Sequence, residues 1–359
     1  MIQEQKWLTN AYLETVKRLQ MLIATPSLSK TEHDAVLLFE NWFAQDKIDY
    51  KRVLNNVYCI NLYFDESKPT ILLNSHTDTV KANSGYTKNP YEASIINNQI
   101  FGLGANDAGG PLLCLYAVFK RFYHEANLPY NLIFAATAEE EISGNNGVSA
   151  LIKHLPTINL AIVGEPTGMQ LAIAEKGLLV IDCVAKGKAG HAARDEGENA
   201  IYKALKDIKW FEEFKFPKTS ETLGAVKTNV TVIQAGTQHN VVPEQCTFTV
   251  DIRTNDQYTH KEIITIVKQH ITSTVTPRSM RLQSSRITTN HPIVKAAQQL
   301  GIKTYGSPTL SDQALMRFNS VKIGPGESAR SHQADEFILL DEIKQGIKLY
   351  HQLLKHLQL

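Results

Sequence analysis

Cysteine is scarce in this chain, with four residues in 359, and none of them forms a Cys-x-x-Cys pair. That spacing is typical of zinc fingers and dithiol redox sites, so both classes are excluded. Three of the cysteines, Cys59, Cys183 and Cys246, lie in apolar strand-like runs, and Cys114 lies in a helical run. We therefore expect all four thiols to be buried as small hydrophobic side chains.

An excess of charge of one sign is also missing, because the formal net charge is only +1. A dedicated nucleic-acid or membrane-surface binder would carry a strong positive excess. No apolar run is long enough to span a bilayer, and residues 1–10 hold charged side chains in place of the apolar core of a signal peptide. The cytoplasm is the expected location, and neither nucleic acid nor a membrane is an expected partner.

Short apolar runs that predict buried strands occur between residues 70 and 165. Helical patterns alternate with these runs, which predicts a mostly parallel sheet. Ligands bind at the carboxyl ends of the strands in such sheets. Residues able to bind a metal follow the strand ends or a glycine-rich loop, and they are His76 with Asp78, Asp107, Glu140 with Glu141, and Glu165.

A histidine with several carboxylates and no cysteine suits Zn²⁺, Co²⁺ or Mn²⁺ better than it suits a metal that prefers thiolates. In the pair His76 and Asp78, the carboxylate would orient the imidazole while the other ring nitrogen binds the metal. Taken alone, the pair is also compatible with a surface histidine beside an aspartate, and residues 139–141 with a solvated acidic turn. A Mg²⁺ and phosphate site is disfavoured, since no G-x-x-x-x-G-K-[ST] loop occurs.

The pattern of elements changes after about residue 174. The segment that follows contains longer strands and two amphipathic helices, which favours an α+β sandwich inserted into the first domain. The predicted strands are 178–184, 226–233 and 245–252, and the predicted helices are 198–214 and 259–270.

Shorter helices and strands return near residue 287, and the chain ends in an amphipathic helix. We expect residues 1–174 and 286–359 to form one discontinuous α/β catalytic domain, a mixed sheet flanked by helices. Residues 175–285 would form the inserted lid. A later histidine would complete the set of metal ligands, and the candidate is His332. It has to return to the site formed by His76 and Asp107, which is why both segments are expected in one domain.

Short sequence motifs spread along nearly the whole chain complete this pattern. They are Ser75-His76-Thr77-Asp78, Gly104-Ala105-Asn106-Asp107, Thr137-Ala138-Glu139-Glu140-Glu141, Gly164-Glu165-Pro166-Thr167, Gly190-His191-Ala192, Asn240-Val241-Val242-Pro243, Asp251-Ile252-Arg253, Ser311-Asp312 and the run 324–336. In kind and order they resemble the co-catalytic zinc hydrolase family of acetylornithine deacetylases, succinyl-diaminopimelate desuccinylases, aminoacylases and carboxypeptidase G. Each motif is weak alone, but together they are specific.

The resemblance implies a zinc-exopeptidase-like fold with two Zn²⁺ ions per subunit, for which Co²⁺ would substitute. His76 and Glu165 would bind one ion, and Glu141 and His332 would bind the other. Asp107 would bridge the two ions. The family also leads us to expect a cis peptide bond after Asp107.

The resemblance further implies that Glu140 is the general base and that Asp78 orients the first histidine ligand. The family usually has Asp-Glu-Glu where this chain has Glu at 139–141, and the spacing to Ile142-Ser143-Gly144 favours Glu140 as the base. His191 would stabilise the oxyanion. It would reach the site from the neighbouring subunit of a homodimer formed through the lid domain.

Substrate contacts are implied for four further residues, of which Arg253 suits a carboxylate. The segments 174–178 and 187–194 resemble the arginine-biosynthesis branch. We expect the release of an acetyl or succinyl group from N-acetyl- or N-succinyl-ornithine, or from N-acetylcitrulline. The four implied substrate contacts are Asn240, Arg253, Ser311 and Gly326.

Alternatives to this expected activity stay open. A succinyl-diaminopimelate desuccinylase or a dipeptidase is the alternative within enzymes, and a non-catalytic binding protein is the alternative outside them. Three basic residues of the lid, Lys176, Lys188 and Arg194, would suit a succinyl carboxylate or would simply be solvated.

Overall fold

The short apolar runs form the middle of a mixed β-sheet in the computed structural model, which describes residues 2–359. Strand β3 (Thr70–His76) is parallel to β6 (Asn131–Thr137) on one side and to β7 (Leu160–Val163) on the other. Alternate residues pack on opposite faces, because Ile71 belongs to one hydrophobic cluster and Leu72 to another. Burial on both faces explains why these strands are continuous apolar runs.

The sheet continues on both sides of this parallel core. Its order is β1-β2-β6-β3-β7-β17-β8, and the outer pairs β1–β2, β2–β6 and β17–β8 are antiparallel. The bounds are β1 (Tyr50–Val53), β2 (Asn56–Ile60), β8 (Leu171–Glu175) and β17 (Ser320–Lys322), with β15 (Ser285–Arg286) and β16 (Thr304–Ser307) beside β8.

Helices flank this sheet, and α3 (Gly110–Phe122) is the most buried of them. Its sequence is apolar on nearly all sides, because it packs against two further helices as well as against β3 and β6. A small separate sheet has the order β18-β5-β4, with β4 (Ile95–Ile96), β5 (Gln99–Phe101) and β18 (Phe337–Leu339). The remaining helices here are α1 (Ile2–Ile23), α2 (His33–Asp46), α4 (Val148–Leu151), α7 (Pro292–Gln299) and α8 (Leu340–His356).

A second compact unit comprises residues 174–285 and 306–310. Its antiparallel sheet has the order β11-β13-β9-β14, and alternate residues of β9 and β13 pack into one core with apolar residues of α5 and α6. The bounds are β9 (Gly177–Lys186), β10 (Gly190–His191), α5 (Ala200–Glu213), β11 (Lys227–Ala235), β12 (Val241–Val242), β13 (Gln245–Thr254), α6 (His260–His270) and β14 (Thr274–Pro277).

The first unit accordingly contains the residues up to Ile173, Arg286–Tyr305 and Ser311–Leu359. The division differs from the expected boundaries at residue 174 and in the segment 306–310, both of which the sequence pattern left in the first unit. The predicted α/β fold class, with a mixed sheet flanked by helices, is confirmed.

The expectations for the thiols also agree with the structure, in which all four cysteines are free and buried. Among residues 2–359, each helix is too short or too polar to cross a lipid bilayer.

Candidate metal centre

The carboxyl ends of β3, β6 and β7 lie side by side because the three strands are parallel. His76 is the last residue of β3 and pairs in register with Thr137, the last residue of β6. The residues that follow β6 and β7 therefore enter the same region, and they include the predicted ligands Glu141 and Glu165.

Two groups of potential metal ligands form at this edge. In one group, ligand atoms of His76, Asp107 and Glu165 all lie within 4.8 Å of one another, and in the other the same holds for Asp107, Glu141 and His332. Asp107 belongs to both groups. This is the arrangement that a pair of neighbouring metal ions with one shared carboxylate requires.

The imidazole of His76 is fixed by its own loop. Its Nδ1 lies 2.9 Å from the backbone carbonyl of Asp78, and since a carbonyl only accepts, Nδ1 carries the hydrogen. The other nitrogen, Nε2, then faces carboxylate oxygens of Asp107 at 3.3 Å and Glu165 at 3.8 Å. A ring oriented in this way presents its free lone pair to a metal.

The carboxylate of Asp78 organises the turn that carries the glutamates. It accepts hydrogen bonds from the backbone N–H groups of Glu140 at 3.0 Å and Glu141 at 3.2 Å, and from the hydroxyl of Ser29 at 2.7 Å. Its distance to His76 Nδ1 is longer, 3.5 Å. Asp78 thus orients His76 mainly through its carbonyl oxygen, while its side chain holds the neighbouring turn.

The three consecutive glutamates have three different environments. Glu139 is buried and accepts from the backbone N–H and side-chain amide of Asn146. Glu140 points towards His76, with Oε2 3.9 Å from Nε2, and Glu141 Oε2 lies 2.9 Å from Nε2 of His332. This separation is what the assignment of Glu140 as base and Glu141 as ligand requires.

The electrostatics of the site fit bound cations. Burial, reinforced by the charge of Glu165, raises the pKa of Glu140 well above its usual range. Burial, with the charge of Asp107, also raises the pKa of Glu165 to about 8, and its buried Oε1 has no hydrogen-bond partner in the described residues. Crowded buried carboxylates with an unpaired oxygen, two histidines and no thiol suit Zn²⁺, Co²⁺ or Mn²⁺.

The loop of Asp107 is held by a residue that the sequence analysis did not single out. The carboxylate of Glu336, 2% exposed, accepts from the backbone N–H groups of Asn106 at 2.8 Å, Asp107 at 2.9 Å and Gly104 at 3.2 Å. The peptide bond between Asp107 and Ala108 is cis, so that prediction is confirmed. Position 336 ends the last motif of the sequence, which was the only indication of its importance.

Glu32 is a second residue that the sequence analysis missed. It is fully buried and accepts from the backbone N–H of Glu139 at 3.2 Å and from the side-chain amide of Asn55 at 2.9 Å. Together with Asp78 it holds the turn that presents Glu140 and Glu141.

Residues 72–356 match the model of peptidase family M20/M25/M40. The chain belongs to this family. The predicted resemblance is therefore confirmed, and the protein is a metal-dependent amide hydrolase.

Two curated relatives and one solved structure illustrate the similarity. The LysW-lysine/LysW-ornithine hydrolase of Sulfurisphaera tokodaii is 28% identical over 318 residues, which cover 84% of this chain and 87% of the relative. Succinyl-diaminopimelate desuccinylase 2 of Ruegeria sp. is 26% identical over 249 residues, covering 66% and 62%. The Bacillus subtilis YXEP protein, described as a dinuclear metal-binding peptidase, shares the fold with a TM-score of 0.71 at 16% identity, covering 96% of this chain and 98% of that one.

The second unit holds three of the expected site residues, His191, Asn240 and Arg253. His191 lies on β10, and its Nδ1 accepts from the backbone N–H of Ala193 at 3.1 Å. A neutral ring then carries its hydrogen on Nε2, where it can donate to an oxyanion. Asn240 holds the same loop through its backbone carbonyl, which accepts from the backbone N–H of Ala192 at 3.0 Å.

Arg253 is already engaged by a carboxylate. Its Nε and Nη2 donate to Asp251 at 2.8 and 3.0 Å, so a substrate carboxylate would have to share or replace this partner.

Among the basic residues of the lid, Lys176 is buried and donates to the carbonyl of Ala225 at 2.7 Å. It is therefore not a solvated lysine, in contrast to the exposed Arg194.

The two other expected substrate residues have local structural roles. Ser311 is buried, and its Oγ accepts from the backbone N–H of Gln313 at 3.3 Å as the N-cap of a short 3₁₀ turn. Gly326 has a φ of +86°, and a Cβ there would lie 2.3 Å from Oδ1 of Asn106. Only glycine fits this position. Contact of either residue with substrate stays a prediction.

Proposed function

We propose that the protein hydrolyses the amide bond between a small acyl group and an amine of an amino acid, with N-acetyl- or N-succinyl-ornithine as the first candidates. N-acetylcitrulline, succinyl-diaminopimelate and dipeptides are the alternatives. The observation that carries the proposal is the pair of ligand groups around Asp107 with Glu140 beside them. That combination supplies metal ligands and a separate base, which amide hydrolysis needs.

In this proposal His76 and Glu165 hold one ion, Glu141 and His332 hold the other, and Asp107 is shared. The donor set favours Zn²⁺, with Co²⁺ as a substitute. When bound, the two ions would act as Lewis acids and lower the pKa of a water molecule in the site.

The residues of the chain then handle the protons. Glu140 belongs to neither ligand group, and its Oε2 lies 3.9 Å from Nε2 of His76. Its carboxylate would therefore stand beside the metal ligands and take the proton of the attacking water. It later returns that proton to the leaving amine. The Nε2–H of His191 donates to the oxyanion that forms as water adds to the amide carbonyl.

The names of the two relatives support the choice of amine. One is named for LysW-lysine and LysW-ornithine and the other for succinyl-diaminopimelate. Ornithine, lysine and diaminopimelate are all diamino acids, so an N-acylated diamino acid is the common chemistry. Arg253 would bind the α-carboxylate of such a substrate.

We further propose that the protein is a homodimer formed through the second unit. The edge strand β11 is paired on one side only, with β13. Its consecutive residues Val232 and Ile233 are 47% and 51% exposed, although neighbouring residues of a strand point to opposite faces. An unpaired apolar edge of this kind is suited to pairing with a second copy, and His191 would act in the partner subunit.

The four free buried thiols favour a reducing compartment, hence the cytoplasm.

A hydrolysis panel tests the proposed activity. Purified protein loaded with Zn²⁺ would be assayed on acetyl- and succinyl-ornithine, acetyl-lysine, acetylcitrulline, succinyl-diaminopimelate and a dipeptide, with Glu140→Gln as the inactive control. We expect the highest kcat/KM on an acylated diamino acid. Preference for the dipeptide would overturn the substrate proposal. Bound metal without turnover of any amide would favour the non-catalytic alternative.

A further inference from the structure

Glu336 connects two loops that are far apart in the sequence. Its buried side chain accepts from the backbone N–H groups of Gly104, Asn106 and Asp107, and its own carbonyl accepts from Gly102 N–H at 2.9 Å. No other carboxylate in the described residues accepts hydrogen bonds from this loop. Both ends of residues 102–107 are thereby held to one residue.

Asn106 adds side-chain hydrogen bonds to the same connection. Its Oδ1 accepts from the backbone N–H of Glu327 at 3.0 Å, and its Nδ2 donates to the carbonyl of Glu327 at 3.1 Å and to the hydroxyl of Ser331 at 3.4 Å. The segment 327–336, which carries His332, is therefore bonded to the Asp107 loop at both its ends.

We propose that Glu336 is a positioning residue that sets the place of Asp107 relative to His332, and so the metal affinity of both ligand groups. The proposal rests on the proposed function, in which both residues are ligands. Asp107 belongs to both groups, and its own N–H is one of the three that Glu336 binds. A displacement of this loop would therefore disturb both groups together, whereas an ordinary loop cap would affect stability alone.

Replacement of Glu336 by glutamine separates these roles. Glutamine has nearly the same shape but offers one acceptor oxygen, whereas the carboxylate uses both, Oε1 for Asn106 and Asp107 and Oε2 for Gly104. The amide NH₂ group would face one set of N–H donors, so the loop has to move. Loss of such a supporting hydrogen-bond partner typically weakens metal binding about 10- to 100-fold.

Asp207→Asn is the matched control. Asp207 is 4% exposed, lies in the second unit and likewise holds backbone N–H groups, those of Thr272 at 3.2 Å and Ser273 at 2.9 Å. The metal-free proteins would be compared by thermal unfolding and by titration with Zn²⁺ and Co²⁺. Both variants should unfold at lower temperature than the wild type, but only Glu336→Gln should bind metal more weakly.

Metal affinity equal to wild type in folded Glu336→Gln would overturn the proposal and leave a role in stability only. If Glu336→Gln does not fold, Glu336→Asp takes its place, because it keeps the charge on a side chain one methylene shorter. Unchanged metal affinity in Glu336→Asp would likewise refute the proposal. A wild-type protein that binds fewer than two ions would instead count against the proposed function, which keeps the two failures distinguishable.

Discussion

Replacing Glu140 by glutamine tests how the consecutive glutamates divide their roles. The change keeps the shape of the side chain and removes its capacity to accept a proton. Glu140 belongs to neither ligand group, so the variant should retain both metal ions. Glu141→Gln is the matched comparison, since it alters the neighbouring residue, which lies 2.9 Å from His332.

The size of the effect follows from the role of each residue. Loss of a general base lowers turnover about 10²- to 10⁴-fold, which corresponds to about 3–5 kcal/mol on the activation barrier. The metal-free form of Glu140→Gln should unfold at a higher temperature than metal-free wild type. The reason is that burial and the charge of Glu165 already disfavour the ionised carboxylate of Glu140, and glutamine carries no charge there.

Metal analysis and turnover on an acylated ornithine distinguish the two variants. Glu140→Gln should contain near-normal metal and lose most of its kcat, whereas Glu141→Gln should contain less metal and recover part of its activity when metal is added. The reverse pattern, with metal lost from Glu140→Gln and kept by Glu141→Gln, would mean that the assignment is shifted by one residue.

Three further outcomes are expected. Mixing inactive His191→Ala with inactive Glu140→Gln should restore activity, because one site of the mixed dimer has both residues intact. Mass spectrometry would show whether the mixture exchanges subunits. If it does and no activity returns, His191 acts in the site of its own chain or outside catalysis. Ile233→Asp should shift the protein to monomers in analytical ultracentrifugation. Leu62→Asp, a change at a similarly exposed position of the first unit, should not. A dimer that survives Ile233→Asp would exclude β11 as the interface. Burial lowers the pKa of His351 below its ordinary value of 6.5. The unfolded chain therefore binds the proton more readily, so the contribution of His351 to stability rises with pH in the window just below 6.5. His351→Gln should flatten that part of a plot of Tm against pH, and an unchanged slope would contradict the reasoning.

The residues that end buried strands could be identified from the sequence because their information is local. An apolar run predicts the strand, and polar residues at or near its carboxyl end are placed by the strand itself, as His76 and Glu165 are. Parallel pairing then brings these ends together without any further information. The candidate ligands at these strand ends could therefore be proposed from the sequence itself, whereas the roles of Asp107 and His332 were implied by the family resemblance.

The residues that hold the ligands in place could not be identified in this way. Glu336 binds Asn106 and Asp107 across 230 and 229 positions of sequence, and Glu32 binds Glu139 across 107. In each case the partner is a backbone N–H group, which every residue except proline possesses. A single sequence therefore contains no pattern that marks these contacts.

The conformation of His332 shows why such distant contacts matter for the site. Its φ is +62°, and that of Asp335 is +53°, a left-handed conformation that costs a residue with a Cβ roughly 1 kcal/mol or more. The carboxylate of Asp335 accepts from the backbone N–H groups of Thr87 and Lys88, both at 2.9 Å, and Glu336 follows directly with its bonds to the Asp107 loop. These hydrogen bonds offset the local cost. His332 is recognisable as a candidate ligand from the sequence around it, whereas its placement depends on contacts more than 200 residues away.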